Sequence, residues 1–218
     1  MQTPAFYDTL FGDLPLIDWA QHGNKLEGES WAAFARAAEA KAAGQIAQAC
    51  RALLEITRMA DLDSRHYLQA WSALRELNCP EGRSGEREIL GVIIEAHADH
   101  GENGHDILAV YADGSALYLD HAGAVTTWPA EDPKLEDEIG AVLDAAGAIL
   151  PKIGPWNEKR LPPPERGNVR LNLLTPVGLC FGEGPFAAIA RDPVGGPLVK
   201  AGAVLVHRLQ QQPKATVN

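Results

Sequence analysis

Residues 88–128 read EILGVIIEAHADHGENGHDILAVYADGSALYLDHAGAVTTW. Ile89-Leu90-Gly91-Val92-Ile93-Ile94 is apolar on both faces, which predicts a central strand. Ile107 to Ala112 and Ala116 to His121 flank Asp113-Gly114, a dipeptide that favours a two-residue hairpin turn with both residues at positive φ. That turn sets Val110 against Leu117 and Leu108 against Leu119, all on one face. Ala122-Gly123 turns the chain again and brings Trp128 opposite Leu117. Turn chemistry and apolar faces agree, so the stretch predicts a four-stranded antiparallel meander.

Downstream, Leu135, Ile139, Val142, Leu143, Ala146 and Leu150 recur at helical spacing and predict a helix over 133–150. Gly154-Pro155-Trp156 and Leu161-Pro162-Pro163-Pro164 read as an extended crossing anchored by Trp156. Val169 to Thr175 and Leu179 to Phe181 read as two more strands joined at Thr175-Pro176-Val177-Gly178. Phe181-Gly182-Glu183-Gly184-Pro185 reads as a turn into a short helix. It lacks the third glycine of a dinucleotide site and the Gly-Lys-Ser/Thr end of a phosphate loop. Gly196-Pro197 opens a last helix bearing Leu198, Ala201, Leu205 and Leu209, with proline in its first turn. The tail after Gln210 is expected to fray.

Upstream, Phe6, Leu10, Phe11, Leu14, Leu16, Ile17 and Trp19 form an apolar arm broken by Gly12 and Pro15. Seven large apolar side chains do not stay in water, so the arm is expected to fold across the second face of the sheet or be covered by a partner subunit. Glu29 to Ala43, Gln45 to Met59, and a third segment capped at Asp63 or Ser64 and carrying Leu68, Trp71 and Leu74 predict a three-helix layer. Cys79-Pro80-Glu81-Gly82-Arg83-Ser84-Gly85 reads as a linker. The expected organisation is an N-terminal arm and three-helix layer over 1–83, then an α+β domain over 84–218 with an antiparallel sheet of about six strands. Its element order is similar to that of profilin-like and roadblock-like modules.

The 218 residues carry 29 acidic and 19 basic side chains, a formal charge of -10. Nucleic-acid binding and docking to anionic lipid both need a cationic surface, so both are disfavoured. No apolar run approaches a membrane span and no secretory signal opens the chain, which predicts a cytoplasmic protein. Cys50, Cys79 and Cys180 are odd in number and widely spaced, and read as reduced, largely buried thiols.

Chemistry concentrates in the connection His97-Ala98-Asp99-His100-Gly101-Glu102-Asn103-Gly104-His105-Asp106. His97, Asp99, His100, Glu102 and His105 are ligand types suited to zinc or a similar ion. No strong metal motif fixes their spacing, so a solvated polar turn is the first expectation. Asp106 and His121 face each other in the inferred register. They read as a cross-strand ion pair in preference to an oriented general base, because no serine or cysteine nucleophile adjoins them.

The motifs Ala112-Asp113-Gly114-Ser115-Ala116, Ile153-Gly154-Pro155-Trp156, Leu174-Thr175-Pro176-Val177-Gly178-Leu179 and Phe181-Gly182-Glu183-Gly184-Pro185-Phe186 resemble a group of uncharacterised bacterial proteins, over roughly Ile89 to Leu209. The resemblance implies a bacterial cytosolic protein and carries over no catalytic residue. The leading expectation is a non-catalytic interaction or adaptor protein, acting through a protein partner or as a homodimer. The alternatives are a metal-dependent enzyme or metal-binding protein centred on 97–106, and a small-ligand sensor with a pocket between sheet and helices that Tyr111 and Tyr118 would line.

Overall fold

The structure is a computed structural model of the chain and describes residues 4–22, 28–80, 88–97 and 104–211. The linker residues 81–85, the centre of the His-rich connection and the tail beyond 211 lie outside the described residues. The chain divides into two compact units, residues 2–87 with 175–178, and residues 88–174 with 179 onward.

In the first unit the arm forms two helices, α1 (Pro4–Phe11) and α2 (Leu16–His22). Gly12, at φ 65°, and Pro15 separate them. A Cβ on Gly12 would lie 2.5 Å from the Leu68 Cβ, so glycine alone lets the chain turn this close to α5 (Ser64–Glu76). Leu10, Phe11, Leu16 and Trp19 are buried, and α2 packs on α3 (Glu29–Ala42) and α5. Phe34, Leu53, Ile56 and Leu74 complete this core with α4 (Ile46–Ile56). Cys50 and Cys79 form a disulfide with Cα atoms 6.1 Å apart, correcting the expectation of three free thiols. Cys180 alone stays reduced, and it is buried.

The second unit is a six-stranded antiparallel sheet with helices, an α+β fold. Its elements are β1 (Gly91–His97), β2 (His105–Tyr111), β3 (Ala116–Leu119), β4 (Val125–Trp128), α6 (Glu136–Ile149), β5 (Asn168–Thr175), β6 (Gly178–Pro185), α7 (Phe186–Ile189) and α8 (Gly196–Gln210). The strand order is β4-β3-β2-β1-β5-β6, so the doubly apolar β1 is central. The Phe181–Pro185 segment, expected as a turn, continues β6 as strand. Cores from α6 and α8, including Val142, Leu198 and Leu205, pack on Val92, Leu108, Val110, Tyr118, Trp128 and Leu173 of one sheet face.

The meander is present, but its register is one residue away from that of a two-residue turn. Val110 pairs with Ala116, Leu108 with Tyr118, and Ala116 with Trp128. The Tyr111 N–H donates to the Ser115 carbonyl and the Gly114 N–H to the Tyr111 carbonyl. Gly114 has φ 88° while Asp113 does not have positive φ. This is a three-residue loop, a type I turn closed by a left-handed glycine. Asp120 to Ala124 repeats it, with Gly123 also at φ 88°. The extra residue moves Leu117 to the face away from α6 and α8, because side chains alternate with a period of two. Leu108→Ala should therefore cost about 2–5 kcal/mol, and Leu117→Ala, at a half-buried site, clearly less. Chemical denaturation of the two variants checks this, and the reverse order would restore the two-residue register.

Candidate functional site at one end of the sheet

The His-rich connection leaves β1 at His97 and re-enters β2 at His105, and these two residues are cross-strand partners. Their rings lie 4.3 Å apart, centroid to centroid. Both ring nitrogens of His97 and the Nδ1 of His105 are buried, and among the described residues none of the three has a hydrogen-bond partner. Burial and the neighbouring His97 hold the His105 imidazole below its ordinary pKa, against the pull of Asp106. Asp99, His100 and Glu102 lie outside the described residues. Among the described residues no group of three or more His, Cys, Asp or Glu is placed to hold a metal ion.

Asp106 follows His105 in β2 and so turns to the opposite face, towards α8. Its Oδ1 accepts from the His121 backbone N–H at 2.8 Å and from the Tyr118 hydroxyl at 3.2 Å, and the His121 Nδ1 is 3.4 Å away. The pair is therefore in contact, although the register that first suggested it is displaced by one residue. His121 sits in the turn after β3, and its main chain makes the shorter bond. Burial, then the Asp106 charge, pushes the Tyr118 hydroxyl up to about 12. It keeps its proton at neutral pH and goes on donating to the carboxylate.

Beside this pair lies a cavity of about 260 Å³ between α8 and the sheet. Ile94, Leu108, Val199 and Val206 supply apolar wall, Asp106 and Tyr118 a polar end, and Phe186 and Gln210 also line it. Phe186 is 46% exposed. A Cβ on Gly202 would lie 2.6 Å from the Ile94 Cδ1, so glycine lets α8 approach β1 and close this side of the cavity. Tyr118 thus takes the lining place expected of it. Tyr111 does not, because it pairs with Gly91 on the other face and is buried there.

That other face carries a polar network the sequence reading did not single out. Arg170, 4% exposed, donates Nε and Nη2 to Glu183 Oε2 at 2.8 and 2.6 Å and Nη1 to the Pro162 carbonyl at 2.8 Å. Its Nη1 is 3.7 Å from Glu95 Oε2, which also accepts from Asn172 Nδ2 at 2.8 Å. Burial pushes the Glu95 carboxyl up, opposed by the Asn172 bond and the Arg170 charge. The network fastens the proline-rich crossing to the sheet, and the Trp156 ring meets Phe181 edge-on at 5.2 Å. A signal existed: Arg170 and Asn172 alternate with Val169, Leu171 and Leu173, and Glu95 interrupts an apolar run. It becomes legible only once β5 is known to pair with β1.

No protein-family model matches the chain, and neither the curated proteins nor the solved structures contain a significant match. Among the described residues, no helix is long and apolar enough to cross a membrane.

Proposed function

We propose that the sheet unit is a receptor for a small ligand with an apolar body and one hydrogen-bond-donating end. The carrying observation is the cavity between α8 and the sheet, apolar along its walls, with the Asp106 carboxylate at one end. A few convergent polar groups in an apolar pocket are the usual make-up of a small-molecule site. Its volume suits a ligand at the small end of that class. The Tyr118 hydroxyl and the His121 N–H occupy one Asp106 oxygen, Oδ1, and orient the carboxylate to accept a ligand donor.

The adaptor or homodimer reading drew one of its few positive supports from the apolar arm. Leu16 and Trp19 of that arm are buried in the core of the helical unit, so the geometry favours ligand binding over it. The test uses benzyl alcohol and toluene, which share an aromatic body and differ in a donor. Benzyl alcohol should raise the melting temperature more than toluene, Asp106→Asn should shrink the difference, and Ala203→Trp at the cavity mouth should abolish both effects. Absence of protection by either compound, or full protection in Ala203→Trp, would defeat the proposal.

One observation favours a second reading, metal binding. Buried imidazole nitrogens without partners call for an unseen ligand, water or ion, and His97 and His105 place three such atoms together. Two imidazoles suit zinc, copper or nickel, and the connecting 98–103 segment supplies Asp99, His100 and Glu102 by sequence. Untagged protein should then carry about one equivalent of metal, reduced in His97→Ala and in His105→Ala. Elemental analysis that finds no stoichiometric metal, with unchanged stability in chelator, would end this reading.

A further inference from the structure

The charge balance of the cavity beside Asp106 narrows what it accepts. Its lining carries one carboxylate, Asp106, and no lysine or arginine. Among the described residues the one basic group paired with that carboxylate is the His121 imidazole, 3.4 Å away, a cation only when protonated. The Tyr118 hydroxyl and the His121 backbone N–H both donate to Oδ1. Oδ2 accepts no hydrogen bond among the described residues, and it is not buried. The Asp106 side chain is 26% exposed, so a ligand entering the cavity can reach it. Negative charge gathers at this end of the cavity. Burial first, then the charges of Asp106 and Asp120, holds the Tyr118 hydroxyl in its protonated form.

We propose that the donor end of the ligand is an ammonium group, so that the cavity takes a primary or secondary amine on an apolar stem, with Asp106 as counter-ion; this rests on the receptor reading above. A carboxylate set among apolar walls without a permanent cation carries a desolvation cost. An ammonium N–H directed to Oδ2 supplies the missing hydrogen bond and the missing charge together. An alcohol supplies the hydrogen bond alone, and charge-assisted bonds are about twice as strong as neutral ones. A carboxylic acid, ionised at neutral pH, is repelled by Asp106 and Asp120. The apolar stem lies along Ile94, Leu108, Val199 and Val206 and covers part of the Phe186 ring, which is otherwise 46% exposed.

The experiment titrates the full-length protein at neutral pH with benzylammonium, benzyl alcohol, benzoate and benzyltrimethylammonium. The methyl signals of Ile94 and Val206, on opposite walls of the cavity, are followed by NMR. Benzylammonium should shift both saturably and bind about tenfold more tightly than benzyl alcohol. Benzoate should shift neither, and benzyltrimethylammonium, which has no N–H, should bind more weakly than benzylammonium. Asp106→Asn keeps an Oδ1 acceptor for Tyr118 and His121 but removes the charge, and should bring benzylammonium down to the affinity of benzyl alcohol. Equal affinities of the amine and the alcohol in the wild-type protein would overturn the ammonium assignment and leave the receptor reading standing. A preference that survives in Asp106→Asn would do the same. Saturable binding of benzylammonium that leaves Ile94 and Val206 unshifted would place it elsewhere on an acidic surface and overturn the assignment too. Failure of both the amine and the alcohol to bind would remove the receptor reading with it. The ligand comparison is made in the wild-type protein, so it decides the matter even where Asp106→Asn fails to fold.

Discussion

Arg170→Met should destabilise the sheet unit by about 3–5 kcal/mol, the usual loss when one partner of a buried ion pair is removed. Arg170 is 4% exposed and ties Glu183, the Pro162 carbonyl and Glu95 together. Methionine fills comparable volume, so the loss reports the stranded carboxylates more than a cavity. The pH dependence has a definite sign. Burial already raises the Glu95 pKa, and loss of the cation raises it further. A carboxyl with a raised folded pKa contributes stability that is present below its unfolded pKa and lost as pH rises through the folded one. The variant should therefore approach wild type on acidification from pH 7 towards the ordinary carboxyl pKa of 4.5, and Glu95→Gln added to Arg170→Met should recover part of the loss at pH 7. Urea midpoints across pH measure this; a variant equal to wild type at pH 7 would show that Arg170 is not the tie holding the crossing.

The second large effect belongs to the helical unit. The Cys50–Cys79 bond closes a loop with sequence separation 29, for which the chain-entropy relation gives about 3–4 kcal/mol. Cys50→Ala/Cys79→Ala should lower stability by about that amount, and reducing agent should shift the wild-type midpoint by a similar step but leave the double variant unmoved. Alkylation in denaturant followed by mass measurement checks the pairing directly. Without reductant only Cys180 should react, and after reduction all three cysteines should. Three labelled cysteines without reductant would refute the bond. Its presence also withdraws the support that three free thiols lent to a reducing compartment.

The sequence by itself determined the fold class. The alternation along Ile107–Ala112 and Ala116–His121, the doubly apolar Ile89–Ile94, and the apolar stripes of α6 and α8 act within a few residues, so they are legible locally. That β1 is central follows from its two apolar faces alone. The register did not follow, because Asp-Gly serves both a two-residue turn and the longer loop ending in a left-handed glycine. The choice falls to whichever side chains the sheet can bury; with Tyr118 and Trp128 facing α6 and α8, burial selects the longer loop. Only the tertiary structure decided which strands meet. The return of β5 beside β1 sets Glu95 against Arg170, two residues 75 positions apart in the chain, and no local pattern encodes that pairing. The cavity beside Asp106 is non-local in the same way. His97 and His105 bracket one connection and were readable as a pair, whereas Ile94, Tyr118 and Gln210 share a wall only because α8 folds back onto the sheet, where Gly202 allows it to lie close.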